Sequence, residues 1–158
     1  MKRILILITG GTIVSLRSAN GLMPTDTDMR PILYEKIVGL VEDYDVTIKH
    51  IFNKDSSNIL PSDWYIVEDS IRNHIDEYDG IVILHGTDTM SYSAAMLSYL
   101  FIGINKSIVL TGSQIPIAYE GSDGVNNLND AIITAADERL SGVFVVFHHK
   151  IIKGDKGL

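Results

Sequence analysis

Short continuous apolar runs alternate with segments of helical period along the whole of this sequence, and that alternation constrains the fold more than any other feature. Ile4-Leu5-Ile6-Leu7-Ile8 is β-rich, apolar on both faces and stops at Gly10-Gly11, as a strand buried on both sides does. Val46 to Phe52 predicts a second strand, with Val46, Ile48 and His50 on one face. Ile81-Val82-Ile83-Leu84, Ser107 to Leu110 and Val143 to Phe147 predict three more. Between them, residues 31–43 carry Leu33, Ile37, Leu40 and Val41 at helical spacing. Residues 62–78, entered through Pro61-Ser62 in an N-cap context, place Trp64, Val67, Ile71, Ile75 and Tyr78 on one stripe. Residues 89–102 and 124–138 complete the helices. Strand and helix repeating in this way predict an α/β fold. Its expected form is a three-layer α/β/α domain with a mainly parallel sheet and right-handed crossovers. Residues 15–31, with Gly21, Pro24 and Pro31, read as one long irregular, mobile loop beside the first strand end.

A chain of 158 residues fits one domain and buries roughly two-thirds of its unfolded surface, so a core needs no disulfide or metal. With 46% hydrophobic and 21% charged residues the composition is that of a folded chain. The formal charge of −7 argues against a nucleic-acid partner, which needs an excess of cations to displace phosphate counterions. The absence of cysteine excludes a disulfide scaffold, a thiolate metal site and a cysteine nucleophile together. No apolar run approaches the roughly 18 residues of a membrane span. The Ile4–Ile8 run is also too short for a signal peptide. The expectation is a cytoplasmic protein with no membrane partner.

Ligands of parallel sheets bind beyond the carboxyl ends of the strands. Three strand ends carry Thr9-Gly10-Gly11-Thr12, His85-Gly86-Thr87-Asp88-Thr89 and Thr111-Gly112-Ser113-Gln114, each delivering glycine and a hydroxyl, one adding a carboxylate. A threonine behind a glycine suits a hydroxyl nucleophile, because the backbone can approach closely and neighbouring N–H groups can hold developing negative charge. Either motif alone reads better as turn chemistry, since strand-end glycines are common. Both on one edge favour a site. His85, at the end of an apolar strand, reads as a partly buried structural histidine rather than a base. His148-His149 with Lys150, Lys153 and Lys156 reads as a solvated basic tail, with no partner at metal-ligand spacing. No Gly-x-Gly-x-x-Gly follows the first strand and no Gly-Lys-Ser/Thr occurs, so no nucleotide cofactor is expected. Asp123 and Asp130, flanking Asn126-Asn127, read as helix capping.

Thr9-Gly10-Gly11-Thr12-Ile13 followed by His85-Gly86-Thr87-Asp88-Thr89-Met90 resembles the paired signatures of the bacterial-type L-asparaginases, closer to their cytoplasmic type I branch. Asp55-Ser56-Ser57-Asn58, Pro61-Ser62-Asp63-Trp64, Thr111-Gly112-Ser113-Gln114-Ile115-Pro116 and Ser122-Asp123-Gly124 with Asn127-Leu128 are similar to that branch in order and spacing. The resemblance covers essentially the whole chain and corresponds to the family's N-terminal domain. It implies that residues 1–158 form a single domain of that type, with the family's smaller C-terminal domain absent. It also implies an L-asparagine amidohydrolase that releases ammonia through an acyl-threonine, without cofactor or metal. By carry-over, Thr12 is the nucleophile, Thr87 the second catalytic threonine, and Asp88 holds the α-amino group of the substrate. Ser56 and Ser57 bind its α-carboxylate and amino ends. The implied partners are a small amino-acid amide and further copies of the chain, since surfaces that pack on the absent domain should be apolar.

Two positions depart from the family pattern. Gly21-Leu22-Met23-Pro24 places Leu22 where the family has a tyrosine that helps activate the nucleophile. The family's lysine, counted from Gly154 in a Gly-x-x-x-x-Lys pattern, falls one residue beyond Leu158. Losing one positioned acid or base typically costs on the order of 10²–10⁴-fold, so little turnover is expected. Two other readings stand beside the amidohydrolase. One is a truncated, catalytically incomplete relative that binds a small amino acid. The other is a component of a tRNA-dependent amidotransferase, because the same module occurs in one of the subunits of archaeal glutamyl-tRNA(Gln) amidotransferase, behind an extension not seen here.

Overall fold

A computed structural model describes residues 1–18, 21–23, 25 and 27–156. Pro24, Gly157 and Leu158, on which parts of the motif reading fell, lie outside the described residues. In chain order the elements are β1 (Lys2–Gly10), β2 (Leu16–Ser18), β3 (Gly21–Met23), α1 (Arg30–Lys36), β4 (Tyr44–Lys54) and α2 (Pro61–His74). They continue as β5 (Gly80–Leu84), α3 (Met90–Leu100), β6 (Ser107–Thr111), α4 (Gly124–Ala136), β7 (Gly142–Phe147) and β8 (Lys150–Lys153). The main sheet runs β4-β1-β5-β6-β7-β8. Its first five strands are parallel, and β8 is antiparallel to β7. Among the described residues no helix is long and apolar enough to cross a membrane.

The two-residue period of the strands divides their side chains between two cores. Ile4, Ile6, Ile8, Val82, Leu84, Val109, Phe144 and Val146 face one side and pack with Leu33 and Ile37 of the α1 region and Leu128 and Ile132 of α4. Leu5, Leu7, Ile81, Ile83, Ile108, Leu110, Val143 and Val145 face the other, against Val67 and Ile71 of α2 and Ala94 and Leu97 of α3. Each fully buried Ile or Leu contributes roughly 1.5–3 kcal/mol, which is why both faces of the sheet are covered. The expected α/β/α layering is what the chain forms.

The crossovers differ from the expected uniform hand. β5–α3–β6 and β6–α4–β7 step across the sheet in the same direction, yet α3 packs on one face and α4 on the other. Two such steps have opposite hands. The connections through α1, α2 and α3 share one hand, and the α4 connection has the other, against the strong right-handed rule. The long stretch between β6 and α4 makes this reach possible. It passes the carboxyl edge of the sheet, where the Ile117 N–H donates to the Ile13 carbonyl at 3.0 Å.

Four local expectations are corrected. Residues 15–31 are not one irregular loop, because β2 and β3 pair as an antiparallel hairpin, Arg17 opposite Leu22. The phenol of Tyr119 accepts the Arg17 N–H at 2.7 Å, and the Arg17 guanidinium stacks 4.8 Å from its ring, so the hairpin is held from outside its own sequence. The helix expected over 31–43 ends at Lys36, and turns carry the rest. The basic segment is not a tail. His148 (φ 50°) and His149 (φ 60°) make a two-residue left-handed turn that folds β8 back on β7, the geometry tight hairpins require. Asp123 does not cap α4 with its side chain; its carboxylate accepts the N–H groups of Gln114 and Ile115 and shapes the β6–α4 connection. At the opposite edge, the Tyr34 hydroxyl accepts the Ile48 N–H at 3.1 Å and donates to the Val46 carbonyl at 3.3 Å, covering part of the open side of β4.

Candidate active site

The parallel strands deliver their carboxyl ends to one edge, where buried threonine hydroxyls tie neighbouring strands together. Thr9 Oγ1 donates to the Leu84 carbonyl and Thr111 Oγ1 to the Val146 carbonyl, each at 2.6 Å. Beyond Thr9, Gly10 and Gly11 take positive φ values of 124° and 89°. A Cβ on Gly10 would lie 2.3 Å from the Lys54 carbonyl oxygen, and one on Gly11 2.5 Å from the Cα and N of Gly86. Glycine is required twice over, by conformation and by contact. The Gly11 N–H donates to the Lys54 carbonyl at 3.2 Å, so the turn after β1 is seated on the end of β4.

Lys54 also anchors that strand end to α2. Its ammonium lies 3.0 Å from both oxygens of the buried Asp63 carboxylate, which accepts the Leu60 N–H as well. Burial pushes the Asp63 carboxyl up, but the Leu60 N–H and the Lys54 ammonium outweigh it and hold the group below the usual carboxylate range.

Two residues beyond Lys54, Ser56 joins the second strand-end motif to the first. Its buried Oγ accepts the Asp88 N–H at 3.1 Å, and its carbonyl accepts the Thr89 hydroxyl at 2.9 Å. The result is a cleft of about 110 Å³ lined by Gly11, Thr12, Ser15, Leu22, Asp55, Ser56, Gly86, Thr87 and Asp88. Thr12, Thr87, Asp88 and Ser56, singled out from sequence, therefore share one wall-to-wall space. Ser57 does not line it; its N–H and hydroxyl both donate to Asp55 Oδ1 at 3.0 Å. Ser15 and Asp55 carried no assigned role in the sequence reading. Asp55 had a signal, its place in the Asp55-Ser56-Ser57-Asn58 motif; Ser15 had none.

The cleft is far below the roughly 300–1,000 Å³ of drug-sized sites and suits a small metabolite. A larger one of about 680 Å³ beside Lys49 and His50 lacks this combination of strand-end glycines, hydroxyls and two carboxylates. The polar side chains lining the small cleft are hydroxyls and carboxylates, with neither phenol nor cation among the described residues. Leu22, 44% exposed, sits at its lip.

His85 lies beneath this cleft and does not line it. It is 4% exposed, more deeply buried than the partly buried structural histidine expected, and structural as expected. Its Nδ1 is 2.6 Å from the Gly86 carbonyl, its Nε2 is 2.9 Å from Ser93 Oγ, and Ser93 Oγ accepts the Trp64 indole N–H at 2.9 Å. Burial pushes the imidazole below the 6.5 of an unperturbed histidine, against a smaller upward pull from the Gly86 carbonyl. A depressed folded-state value means that the unfolded chain takes up a proton that the folded chain refuses. This contribution to stability is complete above pH 6.5 and declines as pH falls below it, at up to about 1.4 kcal/mol per pH unit. Urea unfolding at pH 7.5 and pH 5 should show a steeper acid loss in the wild type than in His85→Asn; equal losses would refute it.

The family model described as "Asparaginase, N-terminal" matches residues 3–156. L-asparaginase 1 of Escherichia coli (strain K12) is 37% identical over 163 residues, covering 98% of this chain and 46% of that protein. The crystal structure of L-asparaginase I from Vibrio cholerae O1 biovar eltor str. N16961 superposes with a TM-score of 0.88 at 38% identity, covering 97% of this chain and 46% of the other. One of the subunits of the glutamyl-tRNA(Gln) amidotransferase of Methanococcus vannielii is 35% identical over 154 residues, covering 96% of this chain and 35% of that protein. The chain thus spans about half the length, or less, of these relatives.

Proposed function

The chain belongs to the asparaginase family, and from that premise we propose that its strand-end cleft hydrolyses the side-chain amide of a small amino acid, L-asparagine above all, to the acid and ammonia. The observation that carries the reading is the convergence of Thr12, Thr87, Asp88 and Ser56 on one cleft of metabolite size. In this reading the Thr12 hydroxyl attacks the amide carbon, its proton ends on the departing nitrogen, and ammonia leaves an acyl-threonine. Water then opens that ester and returns the hydroxyl. Thr87 contacts the reacting amide from the neighbouring strand end. Asp88 pairs with the substrate ammonium, a charge-assisted bond that selects a free α-amino group. Ser56, whose Oγ already accepts the Asp88 N–H, donates its own proton to the α-carboxylate. Ser57 acts through Asp55, which it hydrogen-bonds. The protein works in the cytoplasm and as an oligomer, which the exposed Tyr99 and Ile102 of the α3 region would favour.

Ammonia release from L-asparagine, L-glutamine and N-acetyl-L-asparagine tests the substrate class. L-Asparagine should be the best substrate, and N-acetyl-L-asparagine should fall by about 10²-fold or more, since acetylation removes the charge paired with Asp88. Equal use of the two would remove Asp88 from the recognition of substrate. A second reading, a domain that binds an amino acid without hydrolysing it, is favoured by one observation: Leu22 stands at the lip, where a proton acceptor for Thr12 would be useful.

A further inference from the structure

The geometry points to Trp64, Ser93 and His85 as a line of positioning residues that sets the backbone of the Gly86-Thr87-Asp88 loop from behind. This rests on the amidohydrolase reading of the cleft and extends it to side chains that never touch a ligand.

The direction of every hydrogen bond in the line follows from its two ends. An indole N–H can only donate, so Ser93 Oγ must accept from Trp64, at 2.9 Å. A carbonyl can only accept, so the His85 nitrogen 2.6 Å from the Gly86 carbonyl, Nδ1, must carry the proton. A neutral imidazole with its proton on Nδ1 presents Nε2 as an acceptor, and the Ser93 hydroxyl, 2.9 Å away, donates to it. Donor-only and acceptor-only termini thus admit one arrangement of protons in the neutral line. Its surroundings keep it neutral: Ser93 and His85 are 1% and 4% exposed, and the small space around them is lined largely by Phe52, Ile59, Val67, Ile83, Leu97 and Leu110.

The line ends where the site begins. The Gly86 carbonyl belongs to the peptide whose N–H is that of Thr87, so a bond to it fixes that peptide plane and, with it, the first residue of Thr87-Asp88. The other side of the same loop is held by Ser56, through the Asp88 N–H and the Thr89 hydroxyl. Gly86 packs closely on Ser56, where an added Cβ would lie 2.5 Å from Ser56 Cβ. Ser56 therefore clamps the loop from the β4 side and His85 from the core. Nothing else in the proposed chemistry uses His85. Burial requires both of its ring nitrogens to find partners, and one of those partners is the carbonyl of the loop itself.

Two substitutions separate positioning from space-filling. The Asn amide nitrogen stands two bonds from Cβ, like Nδ1, and can keep the donation to Gly86. The Gln amide stands three bonds from Cβ, like Nε2, and can keep the contact with Ser93 while losing the donation. Asn removes more volume, so a packing role makes His85→Asn the more damaged of the two, whereas the positioning role reverses the order at the loop.

The experiment is a ¹H–¹⁵N NMR comparison of the wild type, His85→Asn, His85→Gln and Trp64→Phe without ligand, followed by calorimetric titration with L-aspartate. The wild-type ring should show the proton on Nδ1. The Thr87 and Asp88 amides should stay near their wild-type positions in His85→Asn and move in His85→Gln and Trp64→Phe. Affinity for L-aspartate should weaken by about tenfold in His85→Gln, the scale of one lost hydrogen bond, and by less in His85→Asn. A proton on Nε2, or loop amides that follow lost volume rather than lost donation, would overturn the proposal. Wild type that binds neither L-aspartate nor L-asparagine would defeat the amidohydrolase reading instead, and the unliganded spectra would still decide the role of the line.

Discussion

Gly11→Ala is expected to abolish ligand binding at the cleft and to lower stability well beyond the cost of an ordinary glycine replacement. At φ 89° any side chain incurs roughly 1–2 kcal/mol of conformational strain. The larger effect is contact, because the new Cβ would meet the Cα and N of Gly86 at 2.5 Å and the His85 carbonyl carbon at 2.8 Å. All are backbone atoms in a loop clamped by Ser56 and His85, so no flexible side chain can give way. Relief must come from moving Thr12 and Thr87 apart, which also strains the Gly11 N–H bond to Lys54. Gly103→Ala supplies the control, since Gly103 has φ 83° with no atom within 4 Å of its Cβ direction. Urea unfolding should give about 1 kcal/mol for Gly103→Ala and about 3 kcal/mol or more for Gly11→Ala. Equal costs for the two would show that the approach of the two strand-end loops is not under constraint.

Leu22→Tyr should raise ammonia release from L-asparagine by about 10²-fold, the lower range for one positioned acid or base. Leu22 lines the cleft from the hairpin and is partly exposed, so a phenol can extend from that position without displacing the core. The remaining polar lining groups are hydroxyls and carboxylates, and an added phenol would be the first to line the cleft among the described residues. Leu22→Phe separates ring packing from proton transfer. The gain should appear in kcat for the tyrosine variant and be missing from the phenylalanine variant. Equal rates in both would show that Thr12 activation does not depend on this position.

What could be read from the sequence followed from where its patterns were strong. β1, β5, β6 and β7 are continuous apolar runs buried on both faces, and each was legible within a few residues. β2 and β3 are three residues each, too short for any period, and are held by Tyr119 from about a hundred positions away. β8 looked like a basic tail because Lys150 and Lys153 bracket only two apolar residues and the strand pairs on one side alone. The hand of the α4 connection was hidden for another reason: spacing shows that a helix intervenes, and only the three-dimensional path of the Gly112–Asp123 stretch shows on which face. At the site, Thr12, Thr87 and Asp88 were legible because glycine and hydroxyl recur at strand ends. Their supports were not. Ser93 and Trp64 sit on helices with nothing in their sequence neighbourhood to pair them with His85, so the line beneath the loop emerges only from the packing.

The central claim is that Thr12 is the nucleophile of an amidohydrolase cleft. Its most direct test is ammonia release from L-asparagine by the wild type beside Thr12→Val, which keeps the side-chain shape and removes the hydroxyl. The account predicts a slow, L-asparagine-dependent release in the wild type that falls to the uncatalysed background in Thr12→Val, with both proteins equally folded. Identical rates in the two, whether both measurable or both at background, would contradict it.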